Sequence, residues 1–450
     1  MSQARIAFFP IVRVQFDVPL AEQMIRSARE ALQQAGFELV GPAAPISDLA
    51  AAQAALAGLA GEALDLALVF QATFADSSMV TAIAEGLDAP LFLWAVPEPW
   101  TGGRLRLNSL CGINLAGHAL TLRTRQFEYA YALPGEAAVL HKIGTLAAAG
   151  RLRRRLRSAR LGVVGEHPNG MDTCHLDEPG LKQAFGLTIQ RIALEEVFQR
   201  ARQVPTPELA AVRANLELVL DNLAELQQAP LQGTLSVYRA LQELAREQRL
   251  DGLAVRCWPE FFTQMGCAAC GAMSMLSDGF GGTSPLPCSC EADINGTVTQ
   301  LMLHWLAGTP AFGTDLVGAD FEQDQLALWH CGLAPFSMAD PAVQKRGGNH
   351  SNRGVPLVMD FPLKPGIITI ARLSQASGEL RLVVTRGEIL AAPKPFSGTC
   401  GVARLERHAR EFIDLLMHEG LEHHVSLVYG DVLAELQAFA SLSGLPVLKF

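Results

Sequence analysis

In the N-terminal part of the chain, short apolar blocks alternate with longer stretches in which apolar residues recur at helical spacing. Each block is rich in aliphatic, β-branched or aromatic residues, as buried strands are. The predicted strands are Arg5–Val12, Phe37–Val40, Leu64–Phe70 and Pro90–Val96, and the clearest predicted helices are Leu20–Ala35 and Ser77–Leu87. Strands that alternate with helices in this way predict a parallel sheet with helices on both faces.

Residues 151–157, Arg-Leu-Arg-Arg-Arg-Leu-Arg, interrupt this pattern. Such a run can bind RNA or an anionic substrate, but in an acidic protein it more often forms the solvated face of a helix at a domain junction. After it, Leu161–Gly165 starts a second strand–loop–helix series, and a further β-prone run ends at Arg256. We therefore predict one α/β domain over residues 1–157 and a second over residues 158–290, which carries Glu260.

From Val355 onward the apolar blocks follow one another without helices between them. The blocks Val355–Phe361, Ile367–Arg372 and Leu380–Thr385 are separated by turn signals such as Lys364-Pro365-Gly366. This pattern predicts an antiparallel sheet or small barrel within a third domain over residues 291–450. The predicted fold class is therefore α/β, with two Rossmann-like parallel-sheet domains followed by a C-terminal antiparallel β-rich domain.

The composition narrows the class of protein. Hydrophobic residues make up 49% of the chain and charged residues 18%, and a chain of 450 residues is too long for one typical core. The formal net charge of −9 argues against nucleic acid as a partner, because phosphate binding depends on clustered Lys and Arg. We expect no membrane partner either, because no apolar run approaches the roughly 18 residues of a membrane helix.

Two features of the sequence bear on the compartment. The N-terminus, Met-Ser-Gln-Ala-Arg-Ile-Ala-Phe-Phe-Pro, moves directly into a strand and lacks the pattern of a signal peptide. Nine cysteines, an odd number spread over a long chain, suit a reducing compartment better than a disulfide framework. The predicted localisation is therefore cytoplasmic.

Two acidic residues lie where α/β proteins place ligands. Glu260 follows a β-prone run that ends at Arg256-Cys257-Trp258-Pro259, so it lies just beyond the carboxyl end of a buried strand. Asp293 precedes apolar residues at the spacing of one helix face, so it lies in a first turn, where the helix dipole favours an ionised carboxylate. Taken singly, Glu260 is more often a surface acid and Asp293 an ordinary helix cap.

The segment Cys290-Glu-Ala-Asp293-Ile-Asn-Gly296, followed by Leu306-Ala-Gly308-Thr309, resembles the Glu-x-Asp…Asn-Gly…Thr-Gly-Thr segment of the L-fucose isomerase family. That family converts aldoses to ketoses with a manganese ion. The resemblance implies that Asp293 and Glu260 are catalytic proton acceptors and metal ligands. It is most specific over residues 253–310 and 355–450.

A histidine near the C-terminus is the third metal ligand that this resemblance implies. The segment Gly420-Leu-Glu-His423-His424-Val425 resembles the histidine segment of fucose and arabinose isomerases. An ungapped count back from Leu445-Pro446 favours His424 over His423 as the ligand. Two carboxylates and one imidazole form a hard, oxygen-rich set that suits Mn²⁺, with Mg²⁺ or Co²⁺ as alternatives.

Other polar residues are predicted to contact the sugar. Arg13 lies just beyond the first strand, and His330 lies in the glycine-bearing segment Leu328–Gly332. His350, Asn352 and Arg353 lie in a loop that resembles the family's Gly-Gly-x-Ser-x-Arg loop, and His423 adjoins the predicted ligand. The resemblance also implies a homo-oligomer, a trimer or hexamer, with the active site near a subunit boundary.

Three function classes follow from these observations. The first is a metal-dependent aldose–ketose isomerase that works through an enediol, on a fucose-like or arabinose-like sugar or on a 6-substituted hexose such as a sulfosugar. The second is a sugar-binding or sensor protein of the same fold without catalysis. The third is a metal protein that uses the thiolates of Cys267, Cys270, Cys288 and Cys290, although the Cys-x-Cys pair is tight for a zinc knuckle.

Overall fold

The structure, a computed structural model, describes residues 3–449. Its strands are β1 (Arg5–Ile11), β2 (Glu38–Val40), β3 (Leu66–Gln71), β4 (Leu91–Ala95), β5 (Glu128–Tyr131), β6 (Arg160–Val164), β7 (Thr188–Ile192), β8 (Gly252–Val255), β9 (Cys288–Ser289), β10 (Phe312–Asp320), β11 (Gln325–His330), β12 (Arg346–Gly348), β13 (Val358–Pro362), β14 (Gly366–Ser374), β15 (Arg381–Ile389), β16 (Thr399–Leu405), β17 (His424–Tyr429) and β18 (Val447–Lys449).

The α-helices lie in the connections between these strands. They are α1 (Val18–Gln34), α2 (Leu49–Ala57), α3 (Ser78–Gly86), α4 (Ser109–Leu122), α5 (Ala137–Leu156), α6 (Glu178–Phe185), α7 (Leu194–Gln203), α8 (Thr206–Glu217), α9 (Gln228–Gln248), α10 (Cys270–Asp278), α11 (Ile294–Ala307), α12 (Ala409–His418) and α13 (Leu433–Leu442).

The residues up to Arg155, together with Ala434–Ser443, form one compact unit. Its sheet is parallel and has the strand order β2-β1-β3-β4-β5. The central strand β3 is buried along its whole length, which is why it reads as an unbroken apolar run. The helix α1 turns Ala21, Ile25, Ala28 and Leu32 inward at helical spacing.

The second unit comprises Leu156–Leu433 and the residues from Gly444 on, and it contains two sheets. The first is parallel, in the order β7-β6-β8-β9. In the second, β10, β11, β16, β15, β14 and β17 pair antiparallel in a closed ring, because β15 also pairs with β16. The strands β12, β13 and β18 extend this six-stranded barrel.

The helix α11 joins the two sheets of the second unit. It contacts β8 of the parallel sheet and β14 and β17 of the barrel. Thr297 donates its hydroxyl to the Leu253 carbonyl, and Thr299 accepts the Leu373 N–H, so each side of the helix is tied to a different sheet. These bonds fix the start of α11, and with it Asp293, between the two sheets.

The predicted fold class is confirmed: both predicted parallel sheets form, and the β-rich C-terminal region closes into a barrel. The domain boundaries at 157/158 and 290/291 stay a prediction, whereas the contacts within the chain divide it once near Arg155. Among the described residues, no helix combines the length and the apolar character needed to cross a membrane.

Candidate active site

A cavity of about 300 Å³ opens within the second unit, where segments that follow β8 and β9 meet the barrel strands β10, β11 and β17. Its lining combines acids, imidazoles and aromatic rings. The lining residues are Met171, Cys257, Trp258, Phe262, Cys270, Cys290, Glu291, Asp315, Trp329, His330, Cys331, His350, Asn352, Arg353 and His424. A concave site with few, convergent polar groups is the expected form of a small-molecule site.

Asp293 lies just behind this cavity, as the buried N-cap of α11. Its Oδ1 accepts the Gly296 backbone N–H at 2.9 Å. Its Oδ2 accepts a guanidinium N–H of Arg372 and lies 3.0 Å from His424 Nδ1. Burial opposes ionisation, but the charges of Arg372 and His424 outweigh it and hold the pKa of Asp293 well below its ordinary value. Protein donors therefore engage both oxygens of this carboxylate.

His424 is the first residue of β17, and only 6% of it is exposed. Because the Asp293 carboxylate can only accept, the Nδ1 of His424 carries a proton and donates it. The other ring nitrogen, Nε2, lies 3.3 Å from Asp315 Oδ1. Burial lowers the pKa of His424, but the bond to Asp293 and the nearby carboxylates raise it above the ordinary value. A histidine oriented by one carboxylate is typical of metal ligands.

Asp315 belongs to β10, where its backbone lies opposite His424 of β17 in the antiparallel register. Its side chain is 22% exposed and lines the cavity. The Oδ1 atom is buried and has no hydrogen-bond partner among residues 3–449. A buried carboxylate oxygen without a hydrogen bond is costly unless an ion or ligand satisfies it. Asp315 therefore marks a place for a cation or a proton donor.

Glu291 belongs to the short 3₁₀ turn Cys290–Ala292 and, like Ala292, has a left-handed backbone, at φ 57° and 55°. Such a conformation costs about 1–3 kcal/mol in a non-glycine residue and clusters at functional sites. The carboxylate accepts the Trp258 indole N–H at 3.0 Å and lies 3.3 Å from His423 Nε2. Burial raises the pKa of Glu291, but these two partners lower it to about 2. The side chain is therefore an ionised acid in the cavity wall.

His330 is buried at the end of β11. Its Nδ1 accepts the Cys331 backbone N–H at 2.9 Å, so the neutral ring carries its proton on Nε2. Burial is the main reason that the pKa of His330 is lowered to about 4. The ring is thus a neutral donor through Nε2, which suits a hydroxyl or carbonyl oxygen better than a metal ion.

The loop after β12 supplies His350, Asn352 and Arg353 to the cavity. The Phe262 ring holds two of them: the His350 ring stands edge-on at 5.0 Å between centroids, and the Arg353 guanidinium lies 5.6 Å from the centroid. Within the described residues, Arg353 forms no ion pair with a carboxylate. Its charge is therefore available to an anionic ligand.

The predicted site residues that do not line this cavity are Glu260, Arg13, Asp293 and His423, but Asp293 and His423 contact the lining residues His424 and Glu291. Glu260 forms an ion pair with Arg256, with both N–O distances at 2.8 Å, and the same guanidinium reaches the backbone carbonyls of Glu166 and His167. Arg13 belongs to the first unit, where it lies 3.7 Å from Asp76 and 5.8 Å from the centroid of the Phe74 ring. The structure thus brings Asp293, His424, His423, His330, His350 and Asn352 together, but not Glu260.

The described residues contain three groups able to hold a metal ion, with ligand atoms within 4.8 Å of one another. One is Asp315, His330 and His424, another is Cys174, Glu291, His423 and His424, and the third is Cys270, Cys331 and His350. The first two meet at His424. The set of four thiols considered as an alternative, Cys267, Cys270, Cys288 and Cys290, is not among the groups of the described chain.

Neither Glu291 nor Asp315 is among the residues predicted from the sequence. Glu291 stands in the same Glu-x-Asp segment as Asp293, so the signal for it is present, but the helix pattern points to the second acid of the pair. Asp315 carries a weaker signal, an acid three residues after Phe312 and two residues after Gly313 in the predicted third domain.

Comparison with known proteins relates both ends of the chain to one family. The model of the fucose/sulfoquinovose isomerase N-terminal domain matches residues 9–157, and the model of the L-fucose isomerase C-terminal domain matches residues 360–450. A sulfoquinovose isomerase of Priestia aryabhattai is 32% identical over 439 residues, which are 97% of each protein. That of Alkalicoccus urumqiensis is 34% identical over 390 residues, 85% of this chain and 86% of its own length. That of Clostridium sp. (strain MSTE9) is 29% identical over 98% of each.

Proposed function

The chain belongs to the fucose and sulfoquinovose isomerase family of aldose–ketose isomerases, and we propose that it interconverts sulfoquinovose and the corresponding 2-ketose by way of an enediol. Sulfoquinovose is an aldohexose with a sulfonate at C6. The observation that supports this proposal most is that Asp315 Oδ1, which has no hydrogen-bond partner among the described residues, lies 3.3 Å from His424 Nε2 in a cavity that Arg353 also lines.

The proposed metal ligands are Glu291, Asp315 and His424. Asp315 offers an oxygen without a hydrogen bond, and His424 offers Nε2 because its Nδ1 is held by Asp293. Glu291 belongs to the metal-competent group that shares His424. Two carboxylates and an imidazole fit Mn²⁺, with Mg²⁺ or Co²⁺ as alternatives. When bound, the ion supplies a Lewis acid that polarises the sugar carbonyl and stabilises charge on the enediolate.

In this assignment Asp293 supports the site rather than binding the metal. Its Oδ1 caps α11, and its Oδ2 is shared by Arg372 and His424. Metal-binding histidines commonly donate their second N–H to a carboxylate, which fixes the tautomer and the ring direction. The roles of ligand and proton acceptor predicted for Asp293 and Glu260 stay predictions, and the contacts favour Glu291 and Asp315 for both roles.

The chain's own groups can carry the proton transfer. Glu291 is ionised and lies in the cavity wall, so it can accept a proton from a carbon next to the sugar carbonyl. Asp315, whose Oδ1 lies 3.3 Å from His424 Nε2, can take the exchangeable proton of the C2 hydroxyl and deliver it to C1, while Glu291 passes its proton to the former carbonyl oxygen. His330 donates through Nε2 to a sugar oxygen, because its Nδ1 is already occupied by the Cys331 N–H.

The cavity rim suits a sulfonate. Arg353 presents a guanidinium without a carboxylate partner among the described residues, and Asn352 and His350 lie beside it in the same loop. A guanidinium presents a planar fork of N–H donors, which matches the oxygens of an anionic group. The indoles of Trp258 and Trp329 line the same cavity and provide apolar surface for the sugar. We assign the sulfonate to Arg353.

The test is a kinetic comparison of sulfoquinovose with D-glucose, L-fucose, D-arabinose and L-arabinose, using protein stripped with a chelator and reloaded with Mn²⁺. We expect the highest kcat/KM for sulfoquinovose, little turnover without metal, and recovery on reloading. In heavy water the product should carry deuterium on the carbon that receives the proton. Full activity of a metal-free sample would refute metal dependence, and a product without deuterium would refute the enediol route.

Oligomerisation remains part of the proposal. The family resemblance implies a trimer or hexamer, and Arg13 is predicted to contact a sugar from the first unit. Light scattering of the purified protein should therefore give three or six times the 48.3 kDa chain mass. A monomer with full turnover would contradict this expectation.

A further inference from the structure

The cavity brings together thiols that the proposed reaction does not use. Cys257, Cys270, Cys290 and Cys331 all line it, and none is more than 8% exposed. The Cys270 and Cys331 sulfurs are 3.2 Å apart, although 61 residues separate them along the chain. They are free thiols. Sequence spacing selects a different set of four cysteines, because this contact depends on the packing of α10 beside the end of β11.

His350 completes a group with this thiol pair. The two sulfurs and a ring nitrogen of His350 lie within 4.8 Å of one another. Cys270 begins α10, Cys331 directly follows β11, and His350 lies in the loop after β12. Two sulfurs that bind one zinc ion tetrahedrally at about 2.3 Å each stand about 3.8 Å apart. A separation of 3.2 Å therefore needs a shift of only about half an ångström.

We propose that Cys270, Cys331 and His350 form a second metal site, which binds a thiophilic divalent cation such as Zn²⁺ and thereby inhibits the isomerase. Two thiolates and an imidazole are a soft donor set, which Zn²⁺ accepts and which Mn²⁺ and Mg²⁺ disfavour. Each thiol releases one proton to solvent as its sulfur binds the ion, and no oxidation takes place.

The site would act through the cavity that it shares with the sugar. An ion held by His350 removes that imidazole from the substrate and occupies the wall next to Phe262 and Trp329. One cavity would thus contain a hard site at Glu291, Asp315 and His424 and a soft site at the thiol pair. The binding of zinc stands independently of the proposed function, whereas the inhibition rests on it.

Cd²⁺ added to the full-length, Mn²⁺-loaded protein tests the binding, because thiolate ligation gives an ultraviolet charge-transfer band that carboxylates and imidazoles do not give. We expect about one Cd²⁺ per chain, with the band reduced by about half in Cys270→Ser and in Cys331→Ser. Cys267→Ser is the matched buried control, and Cys174→Ser tests the other thiol in a metal-competent group. Both should keep the band.

Three results would overturn the site. They are a wild-type protein without the band, a band that disappears in Cys174→Ser but not in Cys331→Ser, and a loss of two titratable thiols without metal uptake, which would indicate a disulfide. With saturating Mn²⁺, the Zn²⁺ concentration for half-inhibition should rise at least about tenfold in Cys331→Ser and stay unchanged in Cys267→Ser. A wild-type protein that binds Zn²⁺ at the thiols without loss of activity would overturn the inhibition and count against this cavity as the isomerase site.

Discussion

Four acids at or near the cavity of the second unit fall into two groups that differ in what balances their charge. In the cavity, Glu291 and Asp315 face imidazole and indole groups, and neither pairs with an arginine within the described chain. Outside its lining, Asp293 is held by Arg372 and Glu260 by Arg256. An arginine keeps its charge in proteins, so a carboxylate that it holds is already neutralised. A position near a sheet edge or a helix start therefore does not by itself make an acid available to a metal.

Removing a cavity acid should have the largest effect. Glu291→Gln or Asp315→Asn deletes both a proposed ligand charge and a proton acceptor, and a general acid–base group contributes about 10²- to 10⁴-fold in rate. The loss should appear in kcat, because proton transfer is strongest in the transition state. Steady-state kinetics and metal content per chain measure it.

The matched control for these variants is Glu388→Gln. Glu388 lies on the barrel strand β15, and its ion pair among residues 3–449 is a surface contact with Arg404 at 3.8 Å. It should change kcat by less than about twofold, because Glu388 does not line the cavity and an exposed ion pair contributes only about 0–1 kcal/mol to stability. Wild-type kcat in both cavity variants would remove Glu291 and Asp315 from the reaction.

Asp293→Asn should affect stability as well as activity. The change leaves the Arg372 guanidinium, which is 1% exposed, without its main counter-charge. Breaking a buried ion pair on one side costs about 3–5 kcal/mol. The loss of the carboxylate that orients His424 should also weaken metal binding by about 10- to 100-fold. Denaturant unfolding measures the change in the free energy of unfolding, and metal titration measures the change in metal affinity.

A double variant separates the contribution of Asp293 to stability from its contribution to metal binding. In Asp293→Asn combined with Arg372→Met, the guanidinium that lost Asp293 is removed as well, so part of the unfolding free energy should return, while the buried Glu422 loses its 3.8 Å contact with Arg372. Metal affinity should stay weak, because His424 has still lost its carboxylate partner. If Asp293→Asn unfolds within about 1 kcal/mol of the wild type, the supporting role assigned to Asp293 is wrong.

Arg353→Gln should change specificity rather than chemistry. A hydrogen bond to a charged group contributes about 1.5–3 kcal/mol, which corresponds to about 10- to 100-fold in KM for the sulfonated sugar. KM for D-glucose should stay the same. The control is Arg346→Gln, because Arg346 already pairs with Glu225 at 2.7 Å. Equal losses for both sugars would show that Arg353 does not bind the sulfonate.

The fold and part of the site could be predicted because their signals are local. Leu66–Gln71 reads as a strand because both faces are covered, and Asp293 is found because the apolar spacing of α11 marks where the helix begins. Asp315 could not be predicted as a site residue, because its role depends on the strand register that places it opposite His424. Local sequence does not encode the register between distant strands. Glu291 could not be predicted as a cavity residue, because the direction of its side chain depends on the left-handed backbone of Glu291 and Ala292.

Glu260→Gln should have the smallest effect on turnover. It is the sharpest test of the difference between acids paired with an arginine and acids in the cavity. The Arg256–Glu260 pair is about one-fifth exposed on each side, and its role in the structure is to hold the guanidinium against the carbonyls of Glu166 and His167. A partly solvated pair of this kind contributes about 0–1 kcal/mol, so we expect kcat to fall by less than about threefold and metal content to stay at the wild-type level. Glu260→Gln keeps the side-chain shape, so unfolding of the protein will not confuse the result.

If turnover instead fell by about two orders of magnitude or more and the metal was lost with it, Glu260 would belong to the reaction, as the sequence resemblance implies. Such a result would also show that a carboxylate paired with an arginine in this structure can bind a metal ion instead.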